Sequence, residues 1–247
     1  MNAIEEELIK AKTNGKADKS LLEDKVLFHG SRGGIVGDIS PISRSRCDLG
    51  KGFYLGDSEM QAKGLVCDDS SPVLYRIKLH LSECDPKKIL VLSDDEWLYT
   101  VLANRRKCEE FNRLQLAHTY LRMTEKYDII IGPIADDRMN LAISSFVNQA
   151  LTTDGLKGCL QYVDYGFQYV LKTPEACKLA EIVDSQKITV RDLEYIREYS
   201  EKQRENSFNV VKNMINKYQR QGLYLNEIIQ KEKQKDAMKR AITKEPR

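Results

Sequence analysis

The sequence predicts an α+β fold with a helical C-terminal extension, and three observations support this class. Strand-like and helix-like runs follow one another irregularly, without the βαβ order of a doubly wound parallel sheet. No internal repeat is visible. From Val190 onward, apolar residues recur at helical spacing among dense charges. We therefore divide the chain into a helical lead-in (1–22), an α+β domain (23–185) and a helical extension with a basic tail (186–247).

The first half of the chain is predicted to contain four strands and two helices. The strands are expected at Lys25–His29, Phe53–Leu55, Val73–Leu81 and Lys88–Leu92, and a short amphipathic helix is expected within Met1–Leu22. Ser31–Gly50 is rich in Gly, Ser, Arg and Asp and has little periodicity, which predicts a long loop. Loops of this length are usually functional. Asp57 or Ser58 is suited to cap a helix that begins SEMQAKGLV.

The second half is predicted to mix helices with two strands. Asp94 to about Met123 carries apolar residues at helical spacing after an Asp-Asp start, so we expect one or two helices there. The sequence YDIII at Tyr127–Ile131 predicts a buried strand that Gly132-Pro133 ends. Further helices are expected at Met139–Leu151, Thr153–Tyr162 and Pro174–Ile182, and a further strand at Phe167–Lys172.

Composition excludes some classes of protein. The 247 residues are 41% hydrophobic, which is enough for a sizeable core. With 39 basic and 37 acidic residues, the net charge of +2 creates no global attraction to nucleic acid or to an anionic membrane. Met1–Lys10 lacks the cationic start and apolar core of a secretion signal, and no later stretch approaches the roughly 18 apolar residues of a membrane span. We expect a soluble, cytoplasmic protein without a membrane partner.

The cysteines and histidines do not suggest a metal site. The six cysteines are scattered, without a Cys-x-x-Cys pair and without a histidine at ligand spacing, so zinc is not expected. They are most simply reduced thiols, several of them in the core. Only three histidines are available for chemistry: His29, His80 on a predicted strand and His118 in a helical pattern.

Two motifs lie on either side of the long loop. The first, KVLFHGS at Lys25–Ser31, is an apolar run that ends in His-Gly-Ser. Alone it indicates a hydrogen-bonded histidine at a strand end, followed by a turn glycine. The second, DLGKGFYLGD at Asp48–Asp57, is more specific, because two glycines flank a lysine just before a strand that presents Tyr54. Such a backbone can pass close to a ligand and offer an aromatic ring at a fixed place.

The common nucleotide-binding motifs are absent. RGGIVG at 32–37 lacks the full dinucleotide fingerprint and lies in a long loop instead of a strand-to-helix turn. No Walker sequence occurs. A Rossmann fold is therefore not expected to hold a dinucleotide here.

In order, HGS at 29–31 and GKGFYL at 50–55 resemble the first two signatures of the ADP-ribosyltransferase superfamily, in the branch of poly(ADP-ribose) polymerases and diphtheria-type toxins. FQYVLKT at 167–173 resembles the third, with Gln168 where glutamate is expected. The chain is also similar to a bacterial branch catalogued as domain of unknown function 3990, in which these motifs recur with a GPIADDR-like stretch. The resemblance covers about 25–182. It implies split antiparallel β-sheets with flanking helices.

The resemblance implies that NAD is the substrate and that the bond between nicotinamide and ribose breaks through a transition state with oxocarbenium character. Carried over by position, His29 would hydrogen-bond a hydroxyl of the adenosine ribose, and the Gly30 backbone would hold the nicotinamide amide. Tyr54 would stack on the nicotinamide ring, and Gln168 would bond a hydroxyl of the reacting ribose. The matched signatures add three further residues to the NAD-binding set, which are Ser31, Gly52 and Phe53.

Two positions depart from the superfamily pattern. The neutral Gln168 orients a ligand but supplies no charge, and losing such an electrostatic contact costs on the order of 3 kcal/mol, so single transfer is expected in place of chain synthesis. Asp136 and Asp137 could supply the missing carboxylate or bind the acceptor, or could simply cap the following helix. Leu65 stands where relatives commonly carry a second aromatic wall for nicotinamide.

The loop between the first two motifs carries Arg32, Arg44 and Arg46, and guanidinium groups suit a pyrophosphate, so at least one is expected to contact NAD. Taken individually, most of these arginines are expected to be solvated loop charges, and Arg32 and Arg46 are the two assigned to the NAD-binding set. Lys51 has the same two interpretations.

The leading hypothesis is an NAD-dependent mono-ADP-ribosyltransferase that modifies a protein, RNA or DNA acceptor and releases nicotinamide. A bacterial toxin held by an antitoxin, or a phage-defence effector, fits best. The alternatives are a catalytically weak NAD-binding module, motivated by Gln168, and an NAD glycohydrolase. The helical extension could pack on the domain, cover its cleft or bind a partner, and its lysines could contact nucleic acid or form a solvated face.

Overall fold

The computed structural model describes residues 22–43, 46–67, 71–135, 137–162, 166–219 and 221–242. The helix predicted within Met1–Leu22 therefore lies outside the described residues, apart from Leu22. The described strands are β1 Lys25–Ser31, β2 Phe53–Gly56, β3 Val73–Leu79, β4 Ile89–Val91, β5 Ile129–Pro133, β6 Phe167–Leu171 and β7 Ala180–Lys187. The described helices are α1 Glu59–Gly64, α2 Asp94–Arg105, α3 Glu109–Asn112, α4 Gln115–Thr124, α5 Asp137–Val147, α6 Thr153–Tyr162, α7 Pro174–Cys177, α8 Val190–Lys217 and α9 Leu225–Ile242.

The seven strands form one open sheet in the order β4-β5-β6-β2-β1-β3-β7. The predicted α+β class is confirmed. The sheet is continuous instead of divided in two, and it is not wholly antiparallel, because β4 and β5 pair in parallel. Parallel neighbours need a long crossover, which α2, α3 and α4 provide.

The strands β1 and β2 share fewer paired positions than any other neighbouring strands of the described sheet. The two strands share a single paired position, Phe28 with Gly56, whereas β1 pairs with β3 along its whole length. Gly56 continues the row to Gln168 on β6, and Gln168 in turn pairs with Gly132 on β5. Four strands, β1, β2, β6 and β5, thus meet at one level of the sheet.

Two predictions of helices were wrong. Pro174–Ile182 was predicted as one helix, but α7 ends at Cys177 and the chain then forms β7, which pairs with β3. This strand lies at the sheet edge and is exposed along nearly all of its length, so no buried-strand pattern marks it. The region from Asp94 to Met123 forms three helices instead of one or two, because Arg106 adopts a left-handed conformation (φ 52°) that ends α2.

Each face of the sheet carries its own apolar cluster. One face packs on α2, α5 and α6, and its cluster includes Trp97, Ile130, Met139, Phe146 and Val170, all at most 1% exposed. The other face is covered by α7 and by residues of the long loop, and its cluster includes Leu27, Phe53, Tyr75, Tyr169 and Cys177. Because neighbouring residues on a strand point to opposite faces, this division also sorts the candidate site residues.

The helical extension packs on the α+β body. Val211 and Met214 on α8, together with Leu225 on α9, are buried in the cluster that contains Trp97. Gly158 on α6 lies so close to α8 that a Cβ there would be 2.9 Å from the sulfur of Met214. The predicted boundary at residue 186 falls inside β7. Among the described residues, no helix combines the length and apolar character needed to cross a bilayer.

Candidate functional site

His29 lies where β1 and β2 part, one residue beyond their paired position. Its Nδ1 atom is 2.7 Å from the backbone oxygen of Tyr54, so the imidazole links the two strands just past the junction. The ring stacks on Phe53, with 4.3 Å between centroids, and lies 6.4 Å from the ring of Tyr75. His29 is therefore an interstrand bridge as well as the end of the first motif.

The chemistry of the His29 ring follows from these contacts. A carbonyl oxygen only accepts, so Nδ1 must carry the proton and donate it to Tyr54. Burial lowers the pKa of His29 below its ordinary value of 6.5, and this outweighs the opposite effect of the Tyr54 hydrogen bond. The ring is thus neutral at pH 7 and keeps Nε2 as an acceptor, suited to a ligand hydroxyl.

Gly30 is the point at which α1 meets the sheet. A Cβ at this position would lie 2.2 Å from the backbone oxygen of Ala62, so only glycine permits the contact. Helix α1 begins as predicted, with the Ser58 hydroxyl accepting from the backbone N–H of Gln61. Asp57, the other predicted cap, instead accepts from the backbone N–H of Phe167, which joins the end of β2 to the start of β6.

The turn before β2 is held by side-chain hydrogen bonds to its backbone. The Tyr54 hydroxyl donates to the backbone oxygen of Gly50 at 2.6 Å and accepts from the backbone N–H of Leu49 at 3.1 Å. The ammonium group of Lys172 donates to the backbone oxygen of Leu49 at 3.0 Å. Gly50 has φ +85°, a conformation that favours glycine. The glycine-lysine-glycine turn is therefore pre-formed.

Tyr54 is half-buried, and its hydroxyl is committed to this turn. Burial raises the pKa of Tyr54 well above its usual value, so the phenol stays neutral. The ring packs against the cluster that contains Trp97. Its aromatic face, and not its hydroxyl, is the part that remains for a ligand.

Gln168 is 7% exposed and its orientation is set by one hydrogen bond. Nε2 donates to the backbone oxygen of Pro133 at 2.8 Å, and the indole N–H of Trp97 donates to the same oxygen at 2.8 Å. Because that oxygen accepts only, the amide must present Oε1 on its other side. Its sheet neighbours on both sides are Gly56 and Gly132, and other side chains pack closely there: a Cβ would lie 3.3 Å from Gln61 Oε1 at Gly56 and 3.2 Å from Trp97 Cδ1 at Gly132.

The structure brings most predicted site residues together, although not on one face. Gln168 and the Tyr54 ring belong to the face that packs on α2, whereas His29 and Phe53 belong to the opposite face. Gly52 abuts β6, where a Cβ would be 2.8 Å from the backbone oxygen of Leu171. A ligand that touches both groups must therefore lie where β1 and β2 part, beyond the Phe28–Gly56 pair.

The remaining predicted residues are placed as follows. Ser31 ends β1, and Arg32, Arg46 and Lys51 are exposed around the long loop. Asp137 is the first residue of α5, and Leu65 at the end of α1 is 62% exposed. Arg44 and Asp136 lie outside the described residues.

The sequence predicted a helix in the region of α2 but did not predict that α2 contributes residues to the candidate site. Trp97 bonds the oxygen that holds Gln168, and the side-chain oxygen of Asn104 lies beneath Gly50. Arg105 binds Asp48 of the second motif and the backbone oxygen of Ala135. Only the position of the single tryptophan on a helix face offered a signal, and it indicates a core residue equally well.

The described residues offer few options for a metal. Within the described ranges, no group of three or more His, Cys, Asp or Glu side chains is placed to hold a metal ion. The six cysteines, all within the described residues, form no disulfide bond. Burial raises the pKa of Cys159 to about 12 and, together with Glu175, raises that of Cys177 to about 11, so both remain protonated core thiols at neutral pH.

Fold and site define an α+β protein in which three motifs, far apart in sequence, meet on adjacent strands of one sheet. Residues 25–181 match the model of a family described as "Protein of unknown function (DUF3990)", and the chain belongs to that family. No match was found among curated proteins or among solved structures.

Proposed function

We propose that this protein is an NAD-dependent mono-ADP-ribosyltransferase of the branch that includes poly(ADP-ribose) polymerases and diphtheria-type toxins. One observation carries the proposal. The strands bearing HGS, GKGFYL and FQYVL are immediate neighbours in the order β1-β2-β6, although more than a hundred residues separate β2 from β6. Fold-level likeness alone is a weak argument for function, and the meeting of three motifs on adjacent strands is what supports this proposal.

The same junction supports an ADP-ribosyltransferase-like fold as part of the proposal. The strands β1 and β2 are paired only at Phe28–Gly56, and beyond this point the His29 ring bridges the strands. Adjacent strands lie about 4.8 Å apart, so β1 and β6 are separated by roughly 10 Å across β2. An extended ligand bound where β1 and β2 part would border both faces of the sheet.

The residues would act on NAD as follows. The Nε2 atom of the neutral His29 would accept from a ribose hydroxyl, and the Gly30 backbone would hold the nicotinamide amide. The Tyr54 ring would stack on nicotinamide from its fixed place on the turn, and Gln168 Oε1 would accept from a hydroxyl of the reacting ribose. Such pre-formed contacts favour a reactive conformer of the bound substrate.

In the transfer step, the bond between nicotinamide and the ribose carbon breaks, and nicotinamide leaves with the bonding electrons. The carbon gains oxocarbenium character and is attacked by a nucleophile of the acceptor, which loses a proton. Gln168 orients the ribose but adds no negative charge, so Asp136 or Asp137 is proposed to supply it. The acceptor is a protein, RNA or DNA, and in a toxin or phage-defence setting a neutralising partner is expected.

A binding or hydrolytic role is the second candidate, favoured by the amide at position 168. The chain is incubated with labelled NAD and bacterial lysate, and released nicotinamide and labelled macromolecules are measured. The transferase requires both products, and both must fall in His29→Ala and Tyr54→Ala. His80→Ala is the matched control, because His80 follows β3 at the opposite end of the β1–β3 pair, beside Asp24. Nicotinamide without labelled acceptor indicates a glycohydrolase, and neither product indicates a binding module.

A further inference from the structure

Arg105 connects the two structural supports of the proposed site. It is the last residue of α2, and its side chain is only 13% exposed. Its Nε donates to Asp48, one guanidinium nitrogen donates to Asn140 on α5 at 3.0 Å, and the other donates to the backbone oxygen of Ala135 at 2.6 Å. One planar cation thus joins the end of α2 to two distant segments, one at Asp48 and one at 135–140.

Two of these segments lead directly to proposed ligand contacts. Asp48 immediately precedes the Leu49–Gly50 turn that holds the Tyr54 hydroxyl. Ala135 lies two residues beyond Pro133, whose oxygen holds Gln168. The stacking residue and the ribose-binding residue are thus anchored to loops that share one guanidinium.

The contacts of Arg105 hold its three partners in a fixed geometry relative to one another. An arginine fork makes several hydrogen bonds in a fixed geometry, whereas a lysine offers one compact ammonium group. Lys107 donates to the same Asn140 oxygen as Arg105, at 2.7 Å. Burial lowers the pKa of Lys107, and repulsion by the Arg105 cation adds to this effect, whereas the nearby Asp48 carboxylate opposes it.

We propose that Arg105 is a positioning residue that sets the distance between the Tyr54 turn and the Gln168 anchor, and thereby closes the site to water during transfer. This inference rests on the proposed function. Loosening the connection admits water between the two loops, so more ADP-ribose is lost to hydrolysis and less reaches the acceptor. The partition between transfer and hydrolysis does not depend on how much of the enzyme is folded.

The test compares wild type, Arg105→Lys and Arg105→Met. The control is Arg113→Lys, which alters a solvent-exposed pair with Glu109 on α3. The first measurement is the ratio of acceptor-bound to free ADP-ribose. We expect that ratio to fall by about 10-fold in both Arg105 variants, because a misplacement of about 1 Å can cost that much or more, and to be unchanged in the control.

The second measurement needs no NAD. Arg46 is exposed before the turn and Lys51 is exposed within it, so trypsin cleavage after them reports the mobility of the turn in the folded chain. We expect about 10-fold faster cleavage in both Arg105 variants than in Arg113→Lys, with the tryptophan emission showing that all are folded. Unchanged cleavage overturns the inference. Faster cleavage with an unchanged transfer ratio also overturns it, because Arg105 is then structural only. If wild type cleaves no NAD, the proposed function fails and the trypsin result alone decides whether Arg105 holds the turn.

Discussion

Gln168→Glu is the substitution that most directly tests the anchor of the candidate site. The change keeps the size of the side chain but replaces an N–H donor by a carboxylate oxygen that faces the backbone oxygen of Pro133, at a residue that is 7% exposed. Burial and this oxygen both disfavour the charged form and must raise the pKa of the introduced glutamate above its usual value of about 4.3. The protonated acid, in contrast, donates to Pro133 as the amide does.

The magnitude follows from the linkage between proton binding and folding. A carboxyl whose pKa rises on folding stabilises the fold fully below about pH 4.3 and loses that contribution as pH rises towards the folded-state pKa. Each tenfold decrease in the acid dissociation constant of the carboxyl on folding changes the free energy of unfolding by about 1.4 kcal/mol. Burial weakens the acidity of a carboxyl by about a hundredfold or more, so we expect the variant to be close to wild type near pH 4 and about 3 kcal/mol less stable at about pH 8. Gln168→Met loses the hydrogen bond without adding a charge, and its deficit of about 1 kcal/mol should not vary with pH.

The assay is urea unfolding followed by tryptophan fluorescence at several pH values. Trp97 is the single tryptophan, is fully buried and shares its hydrogen-bond acceptor with Gln168. The gap between wild type and Gln168→Glu should widen as pH rises. A gap of constant size, or a glutamate variant as stable as wild type at pH 8, would show that the Pro133 contact does not orient this side chain.

Three further outcomes are expected. Gly30→Ala pushes α1 off the sheet and should lower stability by about 1–3 kcal/mol in thermal unfolding, whereas Gly33→Ala, with no atom within 4 Å of its Cβ, should have little effect; equal effects would contradict the packing. Met214→Ala, at 5% exposure, should cost about 2–5 kcal/mol, and Met238→Ala, at 66% exposure, almost nothing; a neutral Met214→Ala would mean that α8 does not contribute to the core. Folding lowers the pKa of His29, so the contribution of His29 to the free energy of unfolding is complete above pH 6.5 and declines as pH falls below that value. The urea midpoint of wild type should show this decline, and that of His29→Gln should not.

Much of the secondary structure was readable from local sequence. Ser58 has the side chain of a helix N-cap and serves as one, and the strand of three isoleucines at 129–131 is fully buried as its composition indicates. The long loop after β1 was predicted from its glycines and serines, and the residues described within 32–52 form no helix or strand. These features depend on neighbours in the chain, and so the sequence expresses them directly.

The failures have a common physical origin in contacts between distant segments. The first three residues of β7 were predicted as the end of a helix because its exposed residues carry no alternating pattern, and its pairing with β3 decides its conformation. Arg105 was not singled out, because nothing near it in sequence indicates that Asp48 and Ala135 will meet its guanidinium. The placement of His29 and Tyr54 on opposite faces likewise depends on the register between strands.

By itself, the sequence determined the α+β class, the position of each motif at a strand end and the family to which residues 25–181 belong. Only the tertiary structure decided that β1, β2 and β6 are neighbours, that β1 and β2 part at His29, and that α2 supplies the supports of Tyr54 and Gln168. The reason is that strand pairing joins backbone groups that every residue carries, so the choice of partner depends on how the whole core packs and not on the local sequence.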